Sequence, residues 1–162
     1  MSVNRHQPHI LVLPEDDANR QLATGFTRDR SVAERQIQVL APAGGWKRVL
    51  ECFQSDHVGM MNECPFRFMI LLIDFDGKDD RLGQAQRVIP KSLTERVFVL
   101  GAWTEPEDLK KATLGSYETI GMDLAKDCRE DANTTWGHEL LKHNAGEITR
   151  LRERVRPFLF QP

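Results

Sequence analysis

The sequence has few cysteines, few aromatic residues and no long apolar run. Its three cysteines among 162 residues, Cys52, Cys64 and Cys128, form no C-x-x-C pair. An odd number of widely spaced cysteines argues against a disulfide framework and against a structural zinc site. We therefore expect the chain to fold around an apolar core in a reducing compartment.

An excess of basic residues is also missing. The 22 Lys and Arg residues stand against 24 Asp and Glu residues, for a formal net charge of −2 at pH 7. Nucleic-acid binding would therefore need a local basic patch. The N-terminal apolar run HILVL is too short for a signal peptide, and no later run approaches a membrane span. We expect a soluble, cytoplasmic protein with no membrane partner.

The residues that are present predict alternating strands and helices. Apolar segments predict strands at 9–13, 37–40, 68–73 and 96–103. The third segment is apolar on both faces, as a central parallel strand is when helices cover both sides. This order predicts a single three-layer α/β domain with a central, mostly parallel sheet of about four strands, similar to a Rossmann-like fold.

A segment with helical spacing follows each predicted strand. These segments are DDANRQLATGFTRD, WKRVLECFQSDHVGMM, DRLGQAQRVIP and EDLKKATL. Near the C-terminus, TTWGHELLKHNAGEITRLRERVRPFL predicts an amphipathic helix or helix pair packed on the body. The pattern is weakest between residues 115 and 135.

Acidic residues follow three of the four predicted strands. They are Glu15, Asp16 and Asp17, then Asp74 and Asp76, and then Glu105, Glu107 and Asp108. In an open parallel sheet, ligands bind beyond the carboxyl ends of the strands. Two unit charges about 4 Å apart interact by roughly 4 kcal/mol at an effective dielectric near 20. Carboxylates gathered there need raised pKa values or a divalent cation, and Mg²⁺ and Mn²⁺ suit such oxygen ligands.

The spacing within DFDG bears on this prediction. In an extended chain, residues two apart point the same way, so Asp74 and Asp76 can bind one ion while Phe75 turns into the core. Gly77 then allows a tight turn with positive φ. The alternative is an ordinary polar exit from a strand.

The other acidic groups also have structural explanations. Asp16 and Asp17 suit a helix N-terminus. Glu105 and the acids after it suit the first turn of a helix that starts at a proline. The basic residues on the same loops are equally explained as solvated counter-charges; they are Lys78, Arg81, Lys110 and Lys111.

The pattern ILVLPEDD, followed after another strand and helix by MILLIDFDG, resembles a TOPRIM domain. TOPRIM domains are compact α/β catalytic units of primases, topoisomerases and nucleases of the overcoming-lysogenization-defect type. The resemblance covers residues 8–112 and leaves 113–162 as a helical extension. It implies that Glu15 is a general acid/base or metal ligand, and that Asp74 and Asp76 bind Mg²⁺ or Mn²⁺. Glu105, or alternatively Glu107, resembles the extra metal-site carboxylate of the nuclease-type members.

Two positions depart from the TOPRIM pattern. Asp16 stands where the family usually has glycine, and Lys78 stands where many members have a third acid. Two functions therefore remain open. The chain is a metal-dependent nuclease acting on DNA or RNA, or it is a non-catalytic interaction or regulatory module that keeps the fold without the chemistry.

Two further segments favour structural roles. His138 and His143 in HELLKH are five residues apart, about 140° around a helix, so they do not form a zinc pair. We expect them at surface polar positions of a helix. The segment APAGGWKRV lacks a Walker lysine, and we expect a simple turn, although its glycine amides precede a helix where phosphate can bind.

Overall fold

A computed structural model describes residues 2–112 and 115–161. Within these ranges the strands form one parallel sheet in the order β2-β1-β3-β4. The strands are β1 (His9–Pro14), β2 (Ile37–Val39), β3 (Arg67–Leu72) and β4 (Val97–Leu100). The predicted four-stranded parallel sheet is confirmed, and β1 and β3 are its central strands.

Helices connect the strands and continue beyond β4. They are α1 (Asp17–Thr27), α2 (Trp46–Cys52), α3 (Val58–Glu63), α4 (Arg81–Arg87), α5 (Pro106–Lys111), α6 (Tyr117–Glu130), α7 (Ala145–Arg154) and α8 (Arg156–Leu159). A π-helical segment, Phe53–His57, joins α2 to α3. The helix predicted from EDLKKATL is confirmed up to Lys111, and its last two residues lie outside the described part of the chain.

Helices cover both faces of the sheet, so the three-layer α/β prediction is confirmed. Side chains alternate along a strand, so β1, β3 and β4 each contribute to two separate apolar cores. Ile10 and Val12 of β1 belong to the core under α1, α6 and the C-terminal helices. Leu11 and Leu13 belong to the core under α2, α3 and α4. No helix in the described ranges has the length and apolar character needed to cross a bilayer.

The helix α6 was not predicted, although it packs closely against α1. Ser116 caps it by accepting a hydrogen bond from the Thr119 amide at 3.1 Å. Two glycines allow the close contact: a Cβ on Gly25 would lie 2.3 Å from the Glu118 carbonyl oxygen, and one on Gly121 would lie 2.1 Å from that of Leu22. The extension after residue 112 is therefore part of the core.

The helical prediction is wrong for the first part of the C-terminal segment. Turns occupy most of residues 131–141, and α7 begins only at Ala145 after a short 3₁₀ segment. The Asp127 carboxylate holds this turn by accepting hydrogen bonds from the Thr135 and Trp136 amides at 2.6 and 3.0 Å. His143 is not on a helix surface either, because its ring packs against Phe75 at 4.8 Å between ring centres.

Side chains from the C-terminal segment satisfy the outer edge of β4. The Asn144 side chain donates from Nδ2 to the Gly101 carbonyl oxygen at 2.9 Å, and its Oδ1 accepts from the Gly101 backbone amide at 3.2 Å. The Glu147 carboxylate accepts from the Val99 amide at 2.9 Å. Arg150 then binds both oxygens of Glu147, at 2.9 and 3.0 Å.

Candidate functional site at the carboxyl edge of the sheet

The carboxyl ends of β1 and β3 bring Glu15 and Asp74 together. The Glu15 amide donates to the Leu72 carbonyl oxygen at 2.9 Å, which extends the strand pairing by one residue. The Glu15 carboxylate then accepts a hydrogen bond from the Asp74 amide at 2.6 Å. The predicted proximity of an acid after the first strand to one after the third is confirmed, while their chemical roles stay predictions.

Asn19 connects the two acidic segments, although no motif in the sequence predicts that role. Its side chain is fully buried, and its Nδ2 donates to Asp74 Oδ1 at 2.8 Å and to Asp16 Oδ1 at 3.0 Å. Asp16 also accepts from the Asn19 backbone amide at 3.0 Å, so its predicted role as a helix cap is confirmed. The available signal was the position of Asn19, three residues after a cap.

The chain leaves the extended conformation at Asp76, so the expectation that Asp74 and Asp76 alternate along one extended segment is wrong. Asp76 has φ = 50° and Gly77 has φ = 68°, the positive value predicted for the glycine. The cause is hydrogen bonding to the segment after β4, because the Gly77 amide donates to the Trp103 carbonyl oxygen at 2.7 Å. Phe75 is 2% exposed, which confirms that it turns into the core.

Arg81, the first residue of α4, lies inside the site and is not a solvated counter-charge. Its side chain is 4% exposed. Its Nη1 donates to Asp76 Oδ2 at 2.6 Å and to the Asp74 carbonyl oxygen at 2.9 Å. The guanidinium carbon lies 4.1 Å from the ring centre of Trp46, so the arginine is fixed by stacking as well as by hydrogen bonds.

The cluster carries more negative charge than its arginine balances. Burial raises the pKa of Asp74 to about 7; the charges of Glu15, Asp16 and Asp76 add to the rise, and the Asn19 hydrogen bond opposes it. Burial also raises the pKa of Glu15, against the hydrogen bond from the Asp74 amide. Both acids resist ionisation, so the site favours a proton or a cation.

Each of the three predicted ligands leaves one oxygen free. Within the described residues, the hydrogen-bonded oxygens are Glu15 Oε2, Asp74 Oδ1 and Asp76 Oδ2. The other oxygen of each carboxylate accepts no hydrogen bond there. No three His, Cys, Asp or Glu side chains in the described ranges are arranged to hold a metal ion. A shared ion therefore requires these carboxylates to reorient.

Glu105 lies apart from the three carboxylates. It is the exposed cap residue before α5, and no hydrogen bond or ion pair joins it to them in the described part of the chain. The prediction of a helix started by Pro106 is confirmed. Burial raises the pKa of Tyr117, and the charges of Glu105 and Asp74 both add to it. Glu105 is thus near the same edge, and its role as a metal ligand stays a prediction.

The glycine turn before α2 binds the backbone of Glu15. The amides of Gly44 and Gly45 donate to the Glu15 carbonyl oxygen at 2.9 and 3.2 Å. The predicted turn is confirmed. Because both amides already have an acceptor, the turn fixes the Glu15 backbone and does not offer them to a phosphate.

Comparison of the chain with protein-family models, with curated proteins and with solved structures gives no match. The resemblance to TOPRIM domains therefore stays a hypothesis that depends on the acidic motifs and their placement in the fold.

Proposed function

We propose that this protein binds Mg²⁺ or Mn²⁺ through Glu15, Asp74 and Asp76 and cleaves phosphodiester bonds in nucleic acid. The observation that carries the proposal is the uncompensated charge at Asp74, which is 6% exposed and has a pKa raised to about 7. Strongly perturbed acids among like charges are typical of functional sites. Their order, a glutamate after β1 and Asp-x-Asp after β3, is also that of a TOPRIM domain.

The residues of the site fit a hard dication. The free oxygens belong to carboxylates, the ligand type that Mg²⁺ prefers. Asn19 Oδ1 is buried and has no hydrogen-bond partner within the described ranges, so one more oxygen there lacks a donor. Asp76 Oδ1 is free although Arg81 holds Oδ2, and the Asp76 side chain is 49% exposed, which leaves it room to turn.

The mechanism assigns separate tasks to the side chains. When bound, Mg²⁺ supplies stabilisation of the negative charge that develops on phosphate oxygens. Glu15, whose Oε2 is anchored on the Asp74 amide, assists the transfer of a proton from the water that attacks phosphorus. Asn19 keeps the Asp74 carboxylate in one orientation. Attack forms a new P–O bond and breaks the bond to the leaving oxygen.

A second candidate is a non-catalytic α/β interaction or regulatory module. The Asp76–Arg81 ion pair favours it, because Arg81 supplies part of the positive charge that an ion would bring. Asp16 and Lys78, at the two positions that depart from the TOPRIM pattern, favour it as well.

Isothermal calorimetry with Mn²⁺ at pH 8 separates the two candidates. We expect saturable binding to the wild type and none to the double variant Asp74→Asn, Asp76→Asn. The matched control replaces two exposed acids, Asp79→Asn and Asp123→Asn, which lowers the negative charge equally and should leave binding intact. Flat titrations of the wild type would favour the interaction module. A Mn²⁺-dependent cleavage assay on single-stranded, duplex and supercoiled DNA then tests the activity.

A further inference from the structure

We propose that Arg81 is a phosphate-binding residue and takes the place of a second metal ion, so that the site holds one dication together with a phosphate group. This inference rests on the proposed function, because it assigns the substrate contact of the same site. The Asp-x-Asp motif gives no information on Arg81, whose place in the site follows from the turn at Asp76 and the start of α4.

The guanidinium is held in one position from two sides. Its Nη1 is hydrogen-bonded to Asp76 Oδ2 and to the Asp74 carbonyl oxygen. Its plane lies over the Trp46 ring, with 4.1 Å from Cζ to the ring centre. A guanidinium fixed in this way loses little further freedom when it binds a ligand, and its planar set of donors matches the oxygens of a phosphate.

Two nitrogens of Arg81 have no acceptor among the described residues. Nε is buried there without a hydrogen-bond partner, and the whole side chain is 4% exposed. Nη2 also lacks an acceptor among the described residues, but it is not enclosed as Nε is. An unpartnered buried donor costs stability, which the fold tolerates here. The open Nη2 is the atom that can bind an oxygen of an incoming ligand.

An unpartnered acceptor belongs to Asn19, which also binds Asp74. Asn19 is fully buried, its Nδ2 donates to Asp74 Oδ1, and its own Oδ1 has no partner in the described part of the chain. The site therefore contains an unmatched acceptor and unmatched donors around one carboxylate. A metal-bound phosphate brings a positive ion for the unmatched acceptor and anionic oxygens for the unmatched donors.

The charges of the site without phosphate favour one ion. When ionised, Glu15, Asp74 and Asp76 carry three negative charges, and Arg81 carries one positive charge. Two negative charges remain, which one dication neutralises. Asp16 also raises the pKa of Asp74, but its carboxylate accepts hydrogen bonds in the first turn of α1 and is partly compensated by the helix N-terminus. Without phosphate, a second dication would leave a positive excess beside a buried arginine.

The experiment uses the wild type, Arg81→Gln, Arg81→Lys and the control Arg87→Gln, which removes an exposed arginine from the same helix. Calorimetry with Mn²⁺ alone gives the number of ions bound per chain. A ³¹P NMR titration of inorganic phosphate in saturating Mg²⁺ gives the affinity for the anion. We expect one Mn²⁺ per wild-type chain. Arg81→Gln should keep the ion and bind phosphate at least 10-fold more weakly, Arg81→Lys should lose less, and Arg87→Gln should match the wild type.

Several results would overturn the inference. Two ions per wild-type chain would do so without any variant, even if Arg81→Gln failed to fold. Unchanged phosphate affinity in Arg81→Gln would do so as well, as would parallel loss of ion and phosphate in both Arg81 variants. No Mn²⁺ binding by the wild type would instead refute the proposed function. The phosphate titration repeated without metal would then decide the role of Arg81 by itself.

Discussion

Two buried carboxylates beside the same sheet, Asp74 after β3 and Glu147 on α7, have opposite surroundings. They are similarly buried, at 6% and 8% exposure. Both oxygens of Glu147 are bound by Arg150, and one of them also accepts from the Val99 amide. Asp74 receives one side-chain hydrogen bond and has other carboxylates as neighbours. Burial alone therefore does not separate a structural acid from a functional one; the balance of charge and donors does.

Asp127 is a third buried acid and belongs with Glu147. It is 3% exposed and accepts from the backbone amides of Thr135 and Trp136. Both structural acids use their side chains to satisfy backbone amides of another segment. At Asp74 the pattern is reversed, because its own amide donates to the Glu15 carboxylate and brings a second negative charge close.

The largest effect is expected at Gly101, which contacts both regions. Its amide binds Asn144 beside Glu147, and a Cβ built on it would lie 1.6 Å from the carbonyl oxygen of Ile73, just before Asp74. Gly101→Ala should therefore cost more than about 5 kcal/mol or prevent folding. Far-ultraviolet circular dichroism and urea unfolding check this. The control Gly83→Ala has open space on α4 and should change stability by less than about 1 kcal/mol.

Removal of Glu147 tests whether this carboxylate stabilises the fold. Glu147→Ala leaves the Val99 amide without its acceptor and Arg150 without its partner, so we expect a loss of about 3–5 kcal/mol in the free energy of unfolding. Urea unfolding at pH 7 measures it. Glu153→Ala on the exposed side of α7 is the control and should change little. A loss below about 1 kcal/mol for Glu147→Ala would contradict the comparison.

The pH dependence of stability tests whether the Asp74 carboxylate lacks compensating charge. The pKa of Asp74 is raised from 3.8 to about 7, so the native state binds a proton that the unfolded state has already released. Without metal, the free energy of unfolding should fall between pH 4 and 7 by as much as about 4 kcal/mol. Asp74→Asn should remove most of this fall and be more stable than the wild type at pH 8. Urea unfolding from pH 4.5 to 8 checks this, and parallel profiles would refute it.

The smallest effect is expected at the cap of α1. Asp16→Ala removes the cap bond to Asn19 and should cost about 1 kcal/mol. It also removes one of the charges that raise the pKa of Asp74, so the fall in stability with rising pH should end at a lower pH and be smaller. Ser116→Ala removes the cap of α6 without removing a charge, and should cost a similar amount without a change in pH profile. Equal pH profiles of stability for the two variants would count against an interaction between the charges of Asp16 and Asp74.

The sequence predicted the sheet and the position of Glu15 and Asp74 well, because both follow from strand periodicity and from the rule that parallel strands end at one edge. It did not predict the direction of Asp76, which depends on a hydrogen bond between Gly77 and the segment after β4. Arg81 was placed on the surface because its burial depends on Trp46, which is distant in sequence. Long-range contacts of this kind leave no local pattern.

Helix α6 and the turn after it were missed for a related reason. The helix depends on close packing at Gly25 and Gly121, and glycine normally argues against a helix. The buried Trp136 suggested a helical stripe, but its indole is positioned by a hydrogen bond to the Leu124 carbonyl oxygen at 3.1 Å and lies in a turn. In both places tertiary contacts override local preference.

The side chains along the outer edge of β4 have a consequence for aggregation. A bare edge strand is a template on which a foreign strand can assemble, and Val97–Leu100 is fully apolar. Asn144 and Glu147 already bind the amides that such a strand would need. A proteolytic cut before Asn144 would uncover the template, so the C-terminal helices protect the chain from fibril growth as well as completing its core.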